Sequence, residues 1–245
     1  MLKGRGNFYT IVYDIKRSCV LKIIEGRSFE KLKPYFDSLT EGERRRVQNI
    51  TMDMCSTFIK VGEKYFPWAR ITVDRFHVEK EIQEILKKVK NREKLESKKD
   101  VKDDVVWVHY ELLKKNEKLS DEQREDLKIF LNNPYAHDTL EIYYLKEEIK
   151  KIFDSKISRS KAKKLMKKIL NKMKKLGIKE LKGFIKTFKR LFGYILNYFR
   201  LRLTNGKAEG MNNKIKKIKR DCFGFRNIEN FETRVIINFL PDTAI

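Results

Sequence analysis

The apolar positions change period along the chain. Phe8-Tyr9-Thr10-Ile11-Val12-Tyr13 and Cys19-Val20-Leu21-Lys22-Ile23-Ile24 are β-branched and aromatic runs joined by a short polar link, which predicts a β-hairpin. Residues 28–39 switch to helical spacing, with Ser28 as N-cap and Phe29, Leu32, Tyr35 and Phe36 on one face. A strand over 47–52 ending at Asp53, a helix over 57–66 and a strand over 69–73 ending at Asp74 follow. Strand, helix and strand with short links imply parallel pairing through a right-handed crossover. Both aspartates then fall at one carboxyl edge, where open α/β sheets place their ligands.

Beyond Val78 the helical period dominates. Helices are predicted over 79–95, 120–131, 137–152, 158–176, 179–201, 207–219 and 228–239, with Ser120 and Gln123 in capping-box positions. Residues 105–110 fit a strand or a buried helix equally. No internal repeat is present. The expected organisation is a mixed α/β (α+β) fold: 1–78 as the strand-bearing part, 79–203 as a helical insertion, and 204–245 as C-terminal helices.

Composition narrows the class. Of 245 residues, 41% are hydrophobic and 11% aromatic, too many for a disordered chain. Charged residues make up 37% and the net charge is +23. From Lys156 to Arg220 there are 23 Lys and Arg against two acids, Glu180 and Glu209, so nearly the whole excess lies in 65 residues. Phe184, Phe188, Phe192, Tyr194, Tyr198 and Phe199 are interleaved with it. Such a field suits a phosphate backbone ahead of a merely solvated lysine face, with an anionic membrane surface third. There is no apolar run of about 18 residues and no signal-peptide pattern at Met1–Asn7. Cys19, Cys55 and Cys222 are widely spaced and read as reduced cytoplasmic thiols.

The carboxylates carry the candidate chemistry. A strand-end pair such as Asp53 and Asp74 is unfavourable unless a cation neutralises it, and hard oxygen donors suit Mg²⁺ or Mn²⁺. Taken alone, each is more readily a turn or helix-cap residue, and Asp53 could cap the helix after it. Glu209 stands alone among cations at the start of a helix, where a cap role is the alternative. Asn212, Asn213, Lys216 and Arg220 continue its face. Two strand-end aspartates and a helix glutamate match the ligand set of a two-metal phosphoryl-transfer site. His77 lies just past the sheet edge and could touch phosphate or assist the site. The nucleophile-elbow, P-loop and Rossmann glycine patterns are absent.

Thr51-Met52-Asp53-Met54 with Ile71-Thr72-Val73-Asp74-Arg75-Phe76-His77-Val78 resembles the central part of insertion-sequence transposases of the ISL-three family. Residues 205–216, Ile218-Lys219-Arg220 and Gly224-Phe225-Arg226-Asn227 resemble its C-terminal signature, and Ile24-Glu25-Gly26-Arg27-Ser28 its third-strand ending. The resemblance implies an RNase H-like DDE domain interrupted by a helical insertion. Its acids hold two Mg²⁺ (or Mn²⁺) ions that drive cleavage and joining of DNA. It makes Asp53 and Glu209 the second and third catalytic acids and metal ligands, with Asp74, His77, Asn212 and Asn213 supporting. Lys207, Lys214, Lys216, Lys217, Lys219, Arg220 and Arg226 become the candidate DNA contacts. The implied partners are transposon-end and target DNA, and a second copy or an intact transposase.

The family's first Asp lies on a strand before a Lys-Gly-Arg type turn. Here only Met1-Leu2 precede Lys3-Gly4-Arg5-Gly6. The expectation is therefore a sheet without its central first strand, leaving unpaired edges on the hairpin and on the Asp53 strand. The family's N-terminal zinc-binding and helix-turn-helix segments are not in the sequence either. Asp14, the nearest acid, sits off the expected site. The chain alone is then expected to be nearly inactive. The alternatives are a non-catalytic DNA-binding remnant or regulator, and a basic RNA-binding or membrane-surface protein.

Overall fold

The structure is a computed structural model that describes residues 8–97, 112, 119–203, 206–222, 225 and 227–239. The Lys3–Gly6 turn, the ambiguous 105–110 segment, the turn at 204–205, the break at 223–224 and Arg226 lie outside the described residues. The fold is mixed α and β and mostly helical, with two small sheets among the described residues. The chain forms two compact units, Met1–Asp74 with Leu203–Ile245, and Arg75–Arg202.

In the first unit, β1 (Tyr9–Asp14) and β2 (Cys19–Glu25) pair antiparallel, with a bulge between Val12 and Tyr13. Asp14 shapes the connection: its Oδ1 accepts the backbone N–H groups of Lys16 (2.9 Å) and Arg17 (3.0 Å). Helix α1 (Phe29–Ser38) starts where expected, its first turn capped by the Ser28 side chain. Helix α2 (Glu41–Arg45) is an addition to the expected elements. Its signal is local, a Thr40 to Glu43 capping box too short to show apolar periodicity. Strand β3 (Asn49–Met52), helix α3 (Ser56–Tyr65) and strand β4 (Arg70–Val73) then form the expected parallel crossover, with Met52 opposite Val73.

Two cores hold this unit. In one, Ile24, Leu32, Phe36, Val61, Tyr65 and Phe66 join β2, α1 and α3, with Val12 and Ile50 packed against them. In the other, Val20 and Ile23 of β2 meet the C-terminal helices α10 (Gly206–Asp221) and α11 (Ile228–Ile237) through Met211, Ile215, Ile218, Phe231 and Val235. One glycine lets α3 lie close against β3 and β4. A Cβ at Gly62 of α3 would lie 2.8 Å from Ile71 Cδ1 and 3.2 Å from Met52 Cε, so a side chain there would push the tips of both residues aside.

The second unit holds α4 (Arg75–Ser97), α5 (Asp121–Leu131), α6 (His137–Asp154), α7 (Arg159–Leu176), α8 (Leu181–Arg190) and α9 (Phe192–Leu201). Helix α4 packs on α6, α6 on α7, and α7 on α9. Two expectations are corrected here. Helix α4 begins at Arg75 directly after Asp74, not at Glu79. Its first turn is held by polar pairs, Arg75 with Glu79 (3.4 Å) and Asp154 (2.7 Å), which apolar spacing does not reveal. The segment 179–201 is two helices, broken at Leu191 beside Gly193. The break separates the one-sided α8 from α9, where Ile195, Leu196, Tyr198 and Phe199 are all buried.

Polar side chains fix the ends of these helices. The Glu93 carboxylate, 7% exposed, accepts the N–H of Asp138 (2.7 Å), the N–H of Thr139 (2.9 Å) and the Thr139 hydroxyl (2.5 Å), so α4 caps the start of α6. Arg92 beside it bridges Asp138, Glu180 and Glu96. No helix among the described residues is long and apolar enough to cross a membrane. The three cysteines are free thiols.

Gly62→Val should lower the unfolding free energy by about 1–3 kcal/mol through overpacking against Ile71, read from the urea midpoint at constant slope. An unshifted midpoint would show that the contact yields. Glu93→Ala should cost about 2–3 kcal/mol by orphaning three buried donors, with Glu93→Gln between it and wild type. Equal stability of all three proteins would remove the cap from the account.

Candidate functional site

The parallel register puts the two strand-end aspartates side by side. Met52 faces Val73, so Asp53 and Asp74 leave the ladder at the same level, and the Asp74 N–H donates to the Met52 carbonyl at 3.0 Å. Their surroundings differ. Asp74 is 2% exposed and immediately precedes α4, where a helix N-terminus favours negative charge. Asp53 is half-buried, and its carbonyl accepts the Cys55 N–H at 2.7 Å. The cap position of α3 belongs to Cys55, so Asp53 stands two residues outside it and is not the N-cap of that helix.

Glu209 lies in the first turn of α10 and is exposed. Ala208, Met211, Ile215 and Ile218 of the same helix are buried against the hairpin side of the unit. The polar stripe expected along this helix is thus its outer face. Asn213, Lys216 and Arg220 are exposed on it, Lys217 flanks it, and Lys207 is exposed on another side of the helix. Asn212 of that stripe and two of the candidate DNA contacts are engaged within the protein. Asn212 Oδ1 accepts the Tyr13 hydroxyl at 2.6 Å, joining α10 to β1 across 199 residues of sequence. Burial pushes the Tyr13 pKa up, so the hydroxyl stays protonated and keeps donating. Lys214 Nζ donates to the Asn238 carbonyl at 2.6 Å and lies over the Phe239 ring. Lys219 lies over the Tyr9 ring.

Among the described residues, no three His, Cys, Asp or Glu side chains gather into a group able to hold a metal ion, so Asp53, Asp74 and Glu209 do not form one. The donor chemistry of Asp53 and Glu209 still fits a hard divalent cation: both are carboxylates with surface open to solvent. His77 belongs to the first helical turn of the second unit, its ring edge-on to Phe76 at 5.5 Å.

Sequence reasoning missed two residues that hold the site helices in place. Tyr13 reads only as an aromatic strand residue, though its alternation in β1 marks a one-sided position. Glu232 of α11 reads as a surface acid. It accepts the backbone N–H of Ile23 at 3.0 Å and the Lys22 ammonium at 2.9 Å, covering the outer edge of β2.

Comparison with known proteins gives this arrangement a family. A curated relative, the transposase for insertion sequence element IS1001 from Bordetella parapertussis, is 27% identical over 237 residues, covering 94% of this chain. The chain spans 57% of that relative's length. A 53-residue stretch, 22% of the chain, is 38% identical to a protein of Lactococcus lactis subsp. lactis named an ATP-dependent protease, and covers 17% of it. No solved structure matches the chain. Residues 2–235 match the ISL3 type of DDE family described as Transposase. With that match running through the hairpin, the strand-end aspartates and the Glu209 helix, the chain belongs to the ISL3 family of transposases.

Proposed function

We propose that this chain acts in DNA transposition and supplies two acids of a DDE site, Asp53 and Glu209. The observation that carries the reading is the placement of Asp53 at the carboxyl edge of a parallel strand pair, in the same compact unit as the Glu209 helix. In this reading β1–β2 and β3–β4 belong to an RNase H-like sheet, and residues 75–202 are the helical insertion before the third acid.

Asp53 and Glu209 would hold Mg²⁺ or Mn²⁺. Two such ions neutralise charge on the attacking and leaving oxygens of a phosphodiester. The chain's own residues do the rest. Asp74, buried at the start of α4, supports the edge that presents Asp53. Asn212, fixed by Tyr13, holds α10 in register with the hairpin. Lys216, Lys217 and Arg220 attract the DNA backbone to the face that carries Glu209, and Lys207 is a further candidate contact at the start of the same helix. Arg226 and His77 are further candidate contacts. The DNA partners are transposon ends and target, and a second copy or an intact transposase completes the assembly.

A non-catalytic DNA-binding remnant or regulator is the second reading. It is favoured by the lack of a three-acid group among the described residues. Incubating the chain with DNA carrying its element's ends and Mg²⁺ separates the two. Cleavage that falls at least about a hundredfold in Glu209→Gln and Asp53→Asn, with DNA binding retained, supports the catalytic reading. DNA binding without cleavage supports the remnant. Loss of both sinks both. Tyr13→Phe should lower stability by about 1 kcal/mol by removing the donor to Asn212. If Tyr13 positions the α10 face, the same variant lowers the cleavage rate without weakening DNA binding.

A further inference from the structure

Within the helical unit, α7 buries one side only. Ala162, Met166, Ile169 and Met173 point inward at helical spacing. The outer side carries cations and no acid. Lys161, Lys164, Lys168 and Lys175 fall within one narrow arc of the helix, and Lys163, Lys167 and Lys174 within the next. All are exposed, and the other exposed positions of the helix are Ser160 and Asn171. Helices α7, α8 and α9 contain no acidic residue.

An ordinary solvated face mixes signs, as α4 of the same unit does with Glu84–Lys87 and Glu96–Arg92 pairs. The α7 lysine nearest α6 follows that rule: Lys172 meets Glu148 at 2.8 Å and Glu141 at 3.9 Å. The outer lysines have no carboxylate partner among the described residues. Like charges three and four apart weaken a helix, so this face opposes α7's own stability until an anion lies on it.

We propose that the outer face of α7 is a docking surface for the phosphate backbone of duplex DNA, additional to the basic residues of α10 and indifferent to base sequence. From Lys161 to Lys175 the helix rises about 21 Å, which spans roughly six phosphates at 3.4 Å of axis per strand. A straight row of ammonium groups suits an evenly charged polymer. Point charges without an arginine fork give no bidentate reading of bases. The choice of DNA among polyanions rests on the transposition reading, while the surface itself does not require Glu209 to be catalytic.

The test titrates the full chain with random-sequence duplex DNA across a range of salt, a readout independent of cleavage. Replacing Lys161, Lys164, Lys168 and Lys175 together by Gln should lower the slope of log affinity against log salt by about 3–4 and weaken binding roughly ten- to a thousandfold at physiological salt. The same four positions changed to Arg should bind like wild type. A charge-matched control, Lys80, Lys88, Lys128 and Lys151 to Gln, should leave the slope nearly unchanged. If the fourfold variant loses its helical circular dichroism, the pair Lys164→Gln and Lys168→Gln serves, with a slope change of about 2. An unchanged slope overturns the proposal, and so does an equal loss in the control, which would assign the effect to net charge. Tighter binding to phosphatidylserine vesicles than to DNA, lost in the same variant, would overturn DNA as the occupant.

Discussion

The two ends of the helical unit meet on one tyrosine. Arg75, its first residue, donates to the Tyr198 hydroxyl at 3.3 Å, and Arg202, its last, lies over the same ring, with both guanidinium carbons 5.8 Å from the ring centroid. Tyr198 is itself fixed edge-on to Phe153 and Phe199. Arg202 takes a left-handed conformation (φ 50°) and donates to the carbonyls of Phe153 and Ser155, which end α6. The insertion therefore returns the chain close to where it left. A flexible loop of that length would charge the first unit about 4 kcal/mol of closure entropy. A folded insertion with adjacent ends removes most of that penalty, and this allows β1–β2 and α10–α11 to share a core although about 200 residues separate them.

That long-range closure also sets what the sequence could reveal. The hairpin, the β3–α3–β4 crossover and the capped starts of α1 and α5 depend on neighbours within a few residues, and periodicity with Ser28 and Ser120 marks them. The start of α4 rests on polar pairs, one of them to Asp154 about 80 residues away, and the break at Leu191 interrupts a continuous run of apolar positions, so apolar spacing misplaces both. The same division runs through the site. Adjacency of Asp53 and Asp74 follows from a local crossover and was legible. The tether from Tyr13 to Asn212 and the cover of β2 by Glu232 are pairs about 200 residues apart, and no spacing rule encodes them. Asn212 reads as a site residue from its motif, yet its amide oxygen is committed to holding the helix.

The charge excess divides in the same way. On α10, part of it is spent internally: Lys214 on the end of α11 and Lys219 on the Tyr9 ring. The exposed remainder surrounds Glu209, so on that helix cations and a carboxylate occupy one face. On α7 the charges of the outer face are all lysine. A mixed face can bind an anion and a metal together, whereas a single-sign face can only attract polyanion, and the two helices are suited to different tasks for that reason.

The contrast between the two aspartates completes the argument for which of them does chemistry in the proposed reading. Parallel neighbours bring both carboxylates to one edge, where mutual repulsion would raise the energy of the pair if both stayed charged without compensation. Asp74 has the compensation built in: at 2% exposure it is enclosed at the N-terminus of α4, whose dipole favours the anion and whose burial denies access to an incoming ion. Asp53 is outside the cap position of α3 and keeps solvent-exposed surface, so an ion arriving from solvent can reach it. A metal ligand must be both anionic and reachable. By that criterion the proposed reading assigns the divalent cation at this edge to Asp53, with Asp74 as the supporting acid at the junction of β4 and α4.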